Sequence, residues 1–376
     1  MSNPDTSDPV PSSPVTSTGP SAAASGPSSP PGANRPDAPI EGFVLTSSPH
    51  TFAPVSTRRI MYLVIVTLLP AVVISVLYFG LSVLLLYAVG VVVSVATEAV
   101  TKIARKRSWK SALDGSAMIT GLLLVMTLPP SISPIAVAVG ALVAIFIGKE
   151  VFGGLGANVF NPALVGRAFL AAAYPVAMTS WTGPAAVFRF LPRAVDATTS
   201  ATPLAASKFD HATTPALSLF FGQTGGSIGE TSALFIMVGG LVLLFVGIVR
   251  WPVVVSLLGT VFLLGEAFHL GNPAAYPSGL FQLLSGGLAL GAFYMATDLV
   301  TTPYTDGGGV IFGVGTGILV IIIRLFGGYP EGVMYAILLM NAATPLINRS
   351  MNGRVFGRPT HSRKRRLEGA KAEARS

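Results

Sequence analysis

Ile60-Met-Tyr-Leu-Val-Ile-Val-Thr-Leu-Leu-Pro70-Ala-Val-Val-Ile-Ser-Val-Leu-Tyr-Phe-Gly80 carries no charge from end to end. A helix needs about 20 consecutive apolar residues to cross the hydrocarbon core of a bilayer, so this stretch reads as a membrane span. Working outward, the same reading applies to 81–100, 115–129, 133–152, 159–178, 232–249, 251–269, 278–298, 308–326 and 332–348. The third is short, stopped by Pro129-Pro130, and reads as a half-helix. The expected fold is an all-α polytopic membrane protein of about ten transmembrane helices, some of them broken. Composition agrees. The 376 residues are 51% hydrophobic and 11% charged, with a mean hydropathy of +0.67. An average soluble domain carries roughly 25% charged residues, so a soluble fold is excluded.

The net charge of +8 raises the question of nucleic acid, and the positions of the charges answer it. Arg58 and Arg59 precede the first span, Lys102, Arg105, Lys106, Arg107 and Lys110 follow the second, and Arg250 follows the sixth. With ten crossings these all fall on one face, together with the basic tail 349–376 and its run Arg363-Lys364-Arg365-Arg366. The positive-inside rule makes that face cytoplasmic. The expected partner of these charges is membrane lipid, not nucleic acid, and both termini are expected in the cytoplasm of a cell whose inner membrane holds the protein. Residues 1–42, rich in Pro, Ser, Ala and Thr, lack the apolar surface to fold.

The chain also repeats. Gly121-Leu-Leu-Leu-Val-Met126-Thr resembles Gly291-Ala-Phe-Tyr-Met295-Ala-Thr, and Ile147-Gly-Lys149-Glu-Val-Phe152-Gly-Gly154 resembles Ile323-Arg324-Leu-Phe326-Gly-Gly328. Two five-helix halves, 43–178 and 230–348, follow from the spacing. An odd number of spans per half makes them inverted, an arrangement that places sites at the interface of the halves. Between them lies 179–229, by far the longest inter-helix connection and expected on the outer side. Long loops are usually functional or disordered. Within it, Asp196-Ala-Thr-Thr199-Ser200-Ala201-Thr202-Pro203 reads, on composition alone, as a polar surface loop.

That stretch resembles Asp-x-x-(Ser/Thr)-Gly-Ala-Thr, the acceptor motif at which flavin transferases esterify FMN to the last threonine. Further matching stretches are Ser47-Ser48-Pro49-His50, Asp114-Gly115-Ser116-Ala117, Phe152-Gly-Gly-Leu-Gly-Ala-Asn158-Val-Phe-Asn161-Pro162 with Gly166-Arg167, and Glu331-Gly-Val-Met-Tyr-Ala-Ile-Leu-Leu-Met-Asn341. In this order, from about residue 43 to 350, the chain resembles the RnfD/NqrB family. Its members are the D component of the Rnf electron-transport complex and the related B component of the sodium-translocating NADH:quinone reductase. The one departure is Ser200 where the motif has glycine. The resemblance implies covalent FMN on Thr202. It also implies a second, non-covalent flavin such as riboflavin at Asn158 and Asn161. The implied activity is electron relay, as part of an oxidoreductase that moves Na+ or H+. Implied partners are a second FMN-bearing subunit, iron–sulfur-bearing membrane subunits and the flavin transferase. The absence of cysteine fits, since this chain holds no iron–sulfur cluster of its own.

Read without the resemblance, Asn158 and Asn161 can equally cap the fifth helix, with Pro162 at its first turn. Glu98, Asp114, Lys149, Glu150, Arg167, Glu266, Asp298, Arg324 and Glu331 sit in or beside apolar spans, where a charge is either an anchor near a helix end or functional. Among them Glu98, Asp114 and Asp298 are the candidates for an ion- or proton-linked role. Arg167 and Arg324 are candidates to balance a flavin anion or to pair with carboxylates. Gly313-Val-Gly315-Thr-Gly317 lies inside an apolar helix and reads as packing, not as a dinucleotide loop. No phosphate-binding Gly-Lys-Ser/Thr loop is present, and His50, His211, His269 and His361 are too scattered for paired haem ligation. The competing reading is a secondary transporter or channel, for which inverted repeats and broken helices are equally typical.

Overall fold

A computed structural model describes residues 56–183, 201–222 and 224–351. The Pro/Ser-rich segment, residues 184–200 of the long connection and the basic tail beyond 351 lie outside the described residues. The regular elements of the described residues are helices: α1 (Thr57–Phe79), α2 (Leu81–Ala104), α3 (Ser116–Met126), α4 (Pro134–Ile145), α5 (Pro162–Ala173), α6 (Pro175–Thr179), α7 (Pro203–Phe209), α8 (Ala216–Phe221), α9 (Ala233–Phe245), α10 (Trp251–Gly271), α11 (Gly279–Leu284), α12 (Leu288–Leu290), α13 (Asp306–Phe326) and α14 (Val333–Ser350). Four of these, α1, α2, α10 and α13, are long and apolar enough to cross a membrane, and α3, α5 and α9 are shorter apolar helices.

The interruptions have local causes. The expected span 159–178 is two helices, because Pro175 lacks the N–H that would continue α5 and Tyr174 leaves helical geometry at φ −129°. Span 278–298 breaks at Ser285-Gly286-Gly287, where Gly286 takes φ +68°, a conformation that costs only glycine nothing. Two wide, π-helical turns also occur, at different points of the two repeated stretches. Phe146–Glu150 extends α4, and Gly291–Met295 extends α12. Such turns re-aim side chains and occur often at functional sites.

Packing falls into two similar sets. α2 lies against α3 and α4, and α4 against α5; α10 lies against α11 and α13, and α13 against α14. α1 meets α9 and α5 meets α14 where the sets join. The α10–α13 contact is the most extensive, and glycines let the two backbones approach. A Cβ on Gly313 would lie 2.7 Å from the Val253 carbonyl oxygen, and one on Gly317 2.7 Å from Thr260 Cβ. Small residues at such crossings let helix backbones approach where no hydrophobic force drives helices together.

Candidate functional site

Lys149 sits in the π-helical turn after α4, and that turn carries its ammonium into the space between α2 and α3. Its Nζ lies 2.7 Å from Glu98 Oε2 and 2.6 Å from Ser116 Oγ, to which it donates. Glu98, wholly buried on α2, also holds Lys102 one turn along, at 2.6 Å from Oε1. Ser116 Oγ donates in turn to Asp114 Oδ1 at 2.6 Å, which also accepts the Ser116 amide at 2.8 Å. The result is an unbroken polar chain, Lys102–Glu98–Lys149–Ser116–Asp114. Beside it Arg105 reaches Glu150 at 3.3 Å. A buried charge is tolerable only when paired and hydrogen-bonded, and here one carboxylate serves two ammonium groups.

Lys149, Ser116, Asn158, Asn161, Tyr294 and Asp298 line a cavity of about 70 Å³. Asn161 caps α5, its Oδ1 accepting from the amides of Ala163 (3.0 Å) and Leu164 (3.4 Å). Its Nδ2 donates 3.3 Å to the carbonyl of Met295, so the amide ties α5 to the second π-helical turn. Asn158 Nδ2 donates to Phe160 O at 3.2 Å, while its Oδ1 is buried with no partner. Asp298 accepts from Thr301 Oγ1 at 3.3 Å and from the Val300 amide at 3.5 Å. The donor set suits a flavin ring edge, which takes both donors and acceptors. The volume does not: sites for such ligands run from roughly 300 Å³ upward. This cavity fits a water or ion beside Asn158 Oδ1 and Asp298, not an isoalloxazine.

A second cluster is built around Arg324, near the end of α13. Its guanidinium donates to the carbonyls of Gln282 and Ser285 (2.8 Å for the latter) and to Gln282 Oε1 at 3.2 Å. These carbonyls end α11, so the arginine stands where the helix break has left acceptors without intrahelical donors. On the far side of the break the Gly287 amide donates 3.0 Å to Glu331 Oε1. Glu331 Oε2 accepts in turn from Arg167 Nη2 on α5. Arg167 thus pairs with a carboxylate across the two packing sets.

Thr202 is the N-cap of α7, its Oγ1 accepting from the Ala205 amide at 3.1 Å. Esterification replaces the hydroxyl hydrogen and leaves a lone pair for that amide, so the cap is compatible with a phosphoester there. Asp196 through Ser200, the rest of the motif, lie outside the described residues. α7 docks through Leu204, which packs with Leu219, Phe281 and Leu284, and through Lys208, whose Nζ donates 2.8 Å to the Arg324 carbonyl and 3.3 Å to that of Tyr329.

The structure therefore gathers Glu98, Asp114, Asn158, Asn161 and Asp298 at the Lys149 end, and sets Arg167 and Thr202 apart from them. Three residues that bind these groups together escaped the sequence reading: Ser116, Gln282 and Lys208. Ser116 stood inside a matching motif. Nothing in the residues around Gln282 or Lys208 marks them.

Described residues that are mostly helical, with apolar spans, paired charges inside them and a long connection bearing a buried, capped threonine, fit a multi-pass membrane protein. Comparison identifies the family. The profile of the NQR2, RnfD, RnfE family matches residues 44–357, and the chain belongs to that family. It is 43% identical over 325 residues to the D component of the proton-translocating ferredoxin:NAD(+) oxidoreductase complex of Clostridium ljungdahlii, covering 84% of this chain and 96% of that one. To the D component of the Na(+)-translocating ferredoxin:NAD(+) oxidoreductase complex of Acetobacterium woodii it is 44% identical over 319 residues, covering 84% and 95%. The D component of the ion-translocating oxidoreductase complex of Stutzerimonas stutzeri is 39% identical, with 81% and 93% covered.

Proposed function

We propose that this chain is the flavin-carrying membrane component of an Rnf-type complex, relaying electrons between ferredoxin- and NADH-linked partners while Na+ or H+ crosses the membrane. The observation that carries the reading is the match, over more than four-fifths of this chain, to the D components of complexes named for that activity. Two relatives of equal similarity are named for different ions, one for protons and one for sodium. The cofactor is FMN esterified to Thr202; it supplies the one- and two-electron chemistry, and the protein sets its position. Thr202's capping geometry is compatible with this attachment. Iron–sulfur clusters and a second FMN belong to other subunits, since this chain has no cysteine, and a flavin transferase loads Thr202.

The finer architecture we infer is ten crossings in two inverted five-helix halves, with both termini cytoplasmic and the Thr202 loop outside the inner membrane. The paired packing sets and the two cations Lys149 and Arg324, each followed by Phe-Gly-Gly, favour it. In this frame the Lys102–Glu98–Lys149–Ser116–Asp114 chain and the neighbouring Asp298 are the ion- or proton-linked groups. Their adjacency through a water- or ion-sized cavity is the support.

The test is a denaturing gel of the chain co-expressed with a flavin transferase and viewed under ultraviolet light. A fluorescent band is expected, lost in Thr202→Val and retained in Ser200→Gly. A dark band in the unaltered protein would sink the covalent-flavin reading.

A further inference from the structure

α7 is short, yet it makes two attachments to the rest of the protein from a single face. Leu204 and Lys208 are four residues apart, the spacing that puts two side chains on the same side of a helix. Leu204 packs with Leu219 and Phe281. It also lies over the break in the α11–α12 span: a Cβ on Gly286 would come within 2.6 Å of Leu204 Cδ1 and 3.1 Å of Arg324 Nη2. Lys208 reaches the end of α13. Its Nζ donates 2.8 Å to the Arg324 carbonyl, 3.5 Å to that of Ile323, 3.3 Å to that of Tyr329, and closely to that of Gly327. Ile323 and Arg324 lie in the last turn of α13, where the helix end carries partial negative charge; the Ile323 carbonyl also accepts the Gly327 amide at 2.9 Å. An ammonium offers three hydrogens, and here four carbonyls surround it. Burial draws this ammonium below the usual lysine range.

We infer that Lys208 is a positioning residue: it clips the helix headed by Thr202 to the end of α13, and so fixes where a cofactor esterified at Thr202 is held relative to Arg324 and the broken helix. This rests on the reading of Thr202 as the FMN attachment site for its consequence, though not for the clip itself. The bond between FMN and Thr202 is covalent, so losing the clip leaves the flavin attached and lets its carrier move. Electron transfer between cofactors falls steeply with distance, so a loosened carrier relays more slowly while remaining fully loaded.

The test compares Lys208→Met, which keeps the apolar stem, and Lys208→Arg, which keeps the charge, with the unaltered full chain in its complex. In Lys208→Met, amide exchange over Ala206–Phe209 is expected to quicken by about ten- to a hundredfold, the range for losing hydrogen bonds to a charged group. Iodide quenching of the bound flavin is expected to rise, with the ultraviolet band undiminished. Lys208→Arg restores both. Unchanged exchange in α7 overturns the inference. So does an acceleration spread equally over α10 and α13, because a general loss of stability moves every helix. If the unaltered chain shows no flavin band, the attachment reading fails on its own, and exchange in α7 still decides the clip.

Discussion

The Lys149 end and the Arg324 end meet the same requirement in different ways. Each places a cation at or near the end of an apolar helix, ahead of Phe-Gly-Gly, inside the protein. Lys149 is held by a carboxylate and a hydroxyl, Glu98 and Ser116. Arg324 is held by backbone, the carbonyls of Gln282 and Ser285 at a helix break. The residue types suit the partners. An ammonium is a compact point charge that pairs with one carboxylate, whereas the planar guanidinium fork spans two carbonyls at once. The difference separates two jobs. A chain of titratable groups and a hydroxyl can pass a proton or respond to an ion. An arginine on main-chain carbonyls can do neither, and it fixes the shape of a broken helix beneath the Thr202 segment.

The comparison breaks most readily at Glu98. Glu98→Ala leaves Lys149 and Lys102 buried without their carboxylate and should cost about 3–5 kcal/mol, read as a fall in thermal stability of the detergent-solubilised chain. Adding Lys149→Met should recover most of that loss, because an apolar side chain needs no counter-ion. A cost near zero for the single change would mean that the pair is not a unit. The second break is Arg324→Met. It leaves two buried carbonyls short of a donor, and should cost about 2–4 kcal/mol, with amide exchange quickening first over 282–288. Arg324→Lys should rescue only part, since one ammonium does not reproduce the fork. Full rescue would show that charge alone matters there, and the contrast between the two ends would lose its basis.

How much of this was legible in the sequence follows from what apolar periodicity can carry. The four long spans were readable because length and lack of charge are local properties. The Asn161-Pro162 start of α5 was readable because cap and proline act within one turn, and Gly313 and Gly317 as packing because small residues in an apolar helix have few other uses. The π-helical turns left no mark in composition. Neither did the meeting of Glu98, Ser116 and Lys149, since a helix apolar on every face does not say which face meets which neighbour. The residues alone suggest Asn158 and Asn161 as a pair and Asp298 with Glu98 and Asp114 as another group; only the fold brings Asn158, Asn161 and Asp298 around one cavity, and its size favours an ion or water over a second flavin ring. Thr202 came from a motif, and its physics as a cap was visible only in three dimensions.

The smallest and sharpest test concerns the link between the two packing sets at Asn161. Its amide does two things: Oδ1 caps α5, and Nδ2 bonds the Met295 carbonyl across the interface. Asn161→Ser keeps a capping oxygen and removes the donor to Met295. That carbonyl also accepts from the Asp298 amide at 3.4 Å, so it is not left bare, and the cost should sit near the low end of a single hydrogen bond, about 0.5–1 kcal/mol. Asn161→Ala loses the cap as well and should cost roughly 1 kcal/mol more. The Met295 bond anchors the turn that leads into Asp298. If Asp298 is ion-linked, Asn161→Ser should therefore shift the salt or pH dependence of electron transfer in the complex while barely moving thermal stability. A shift equal in Asn161→Ser and Asn161→Ala would place the effect in the cross-interface bond. A shift confined to Asn161→Ala would place it in the cap of α5, and Asp298 would then stand apart from the Lys149 end.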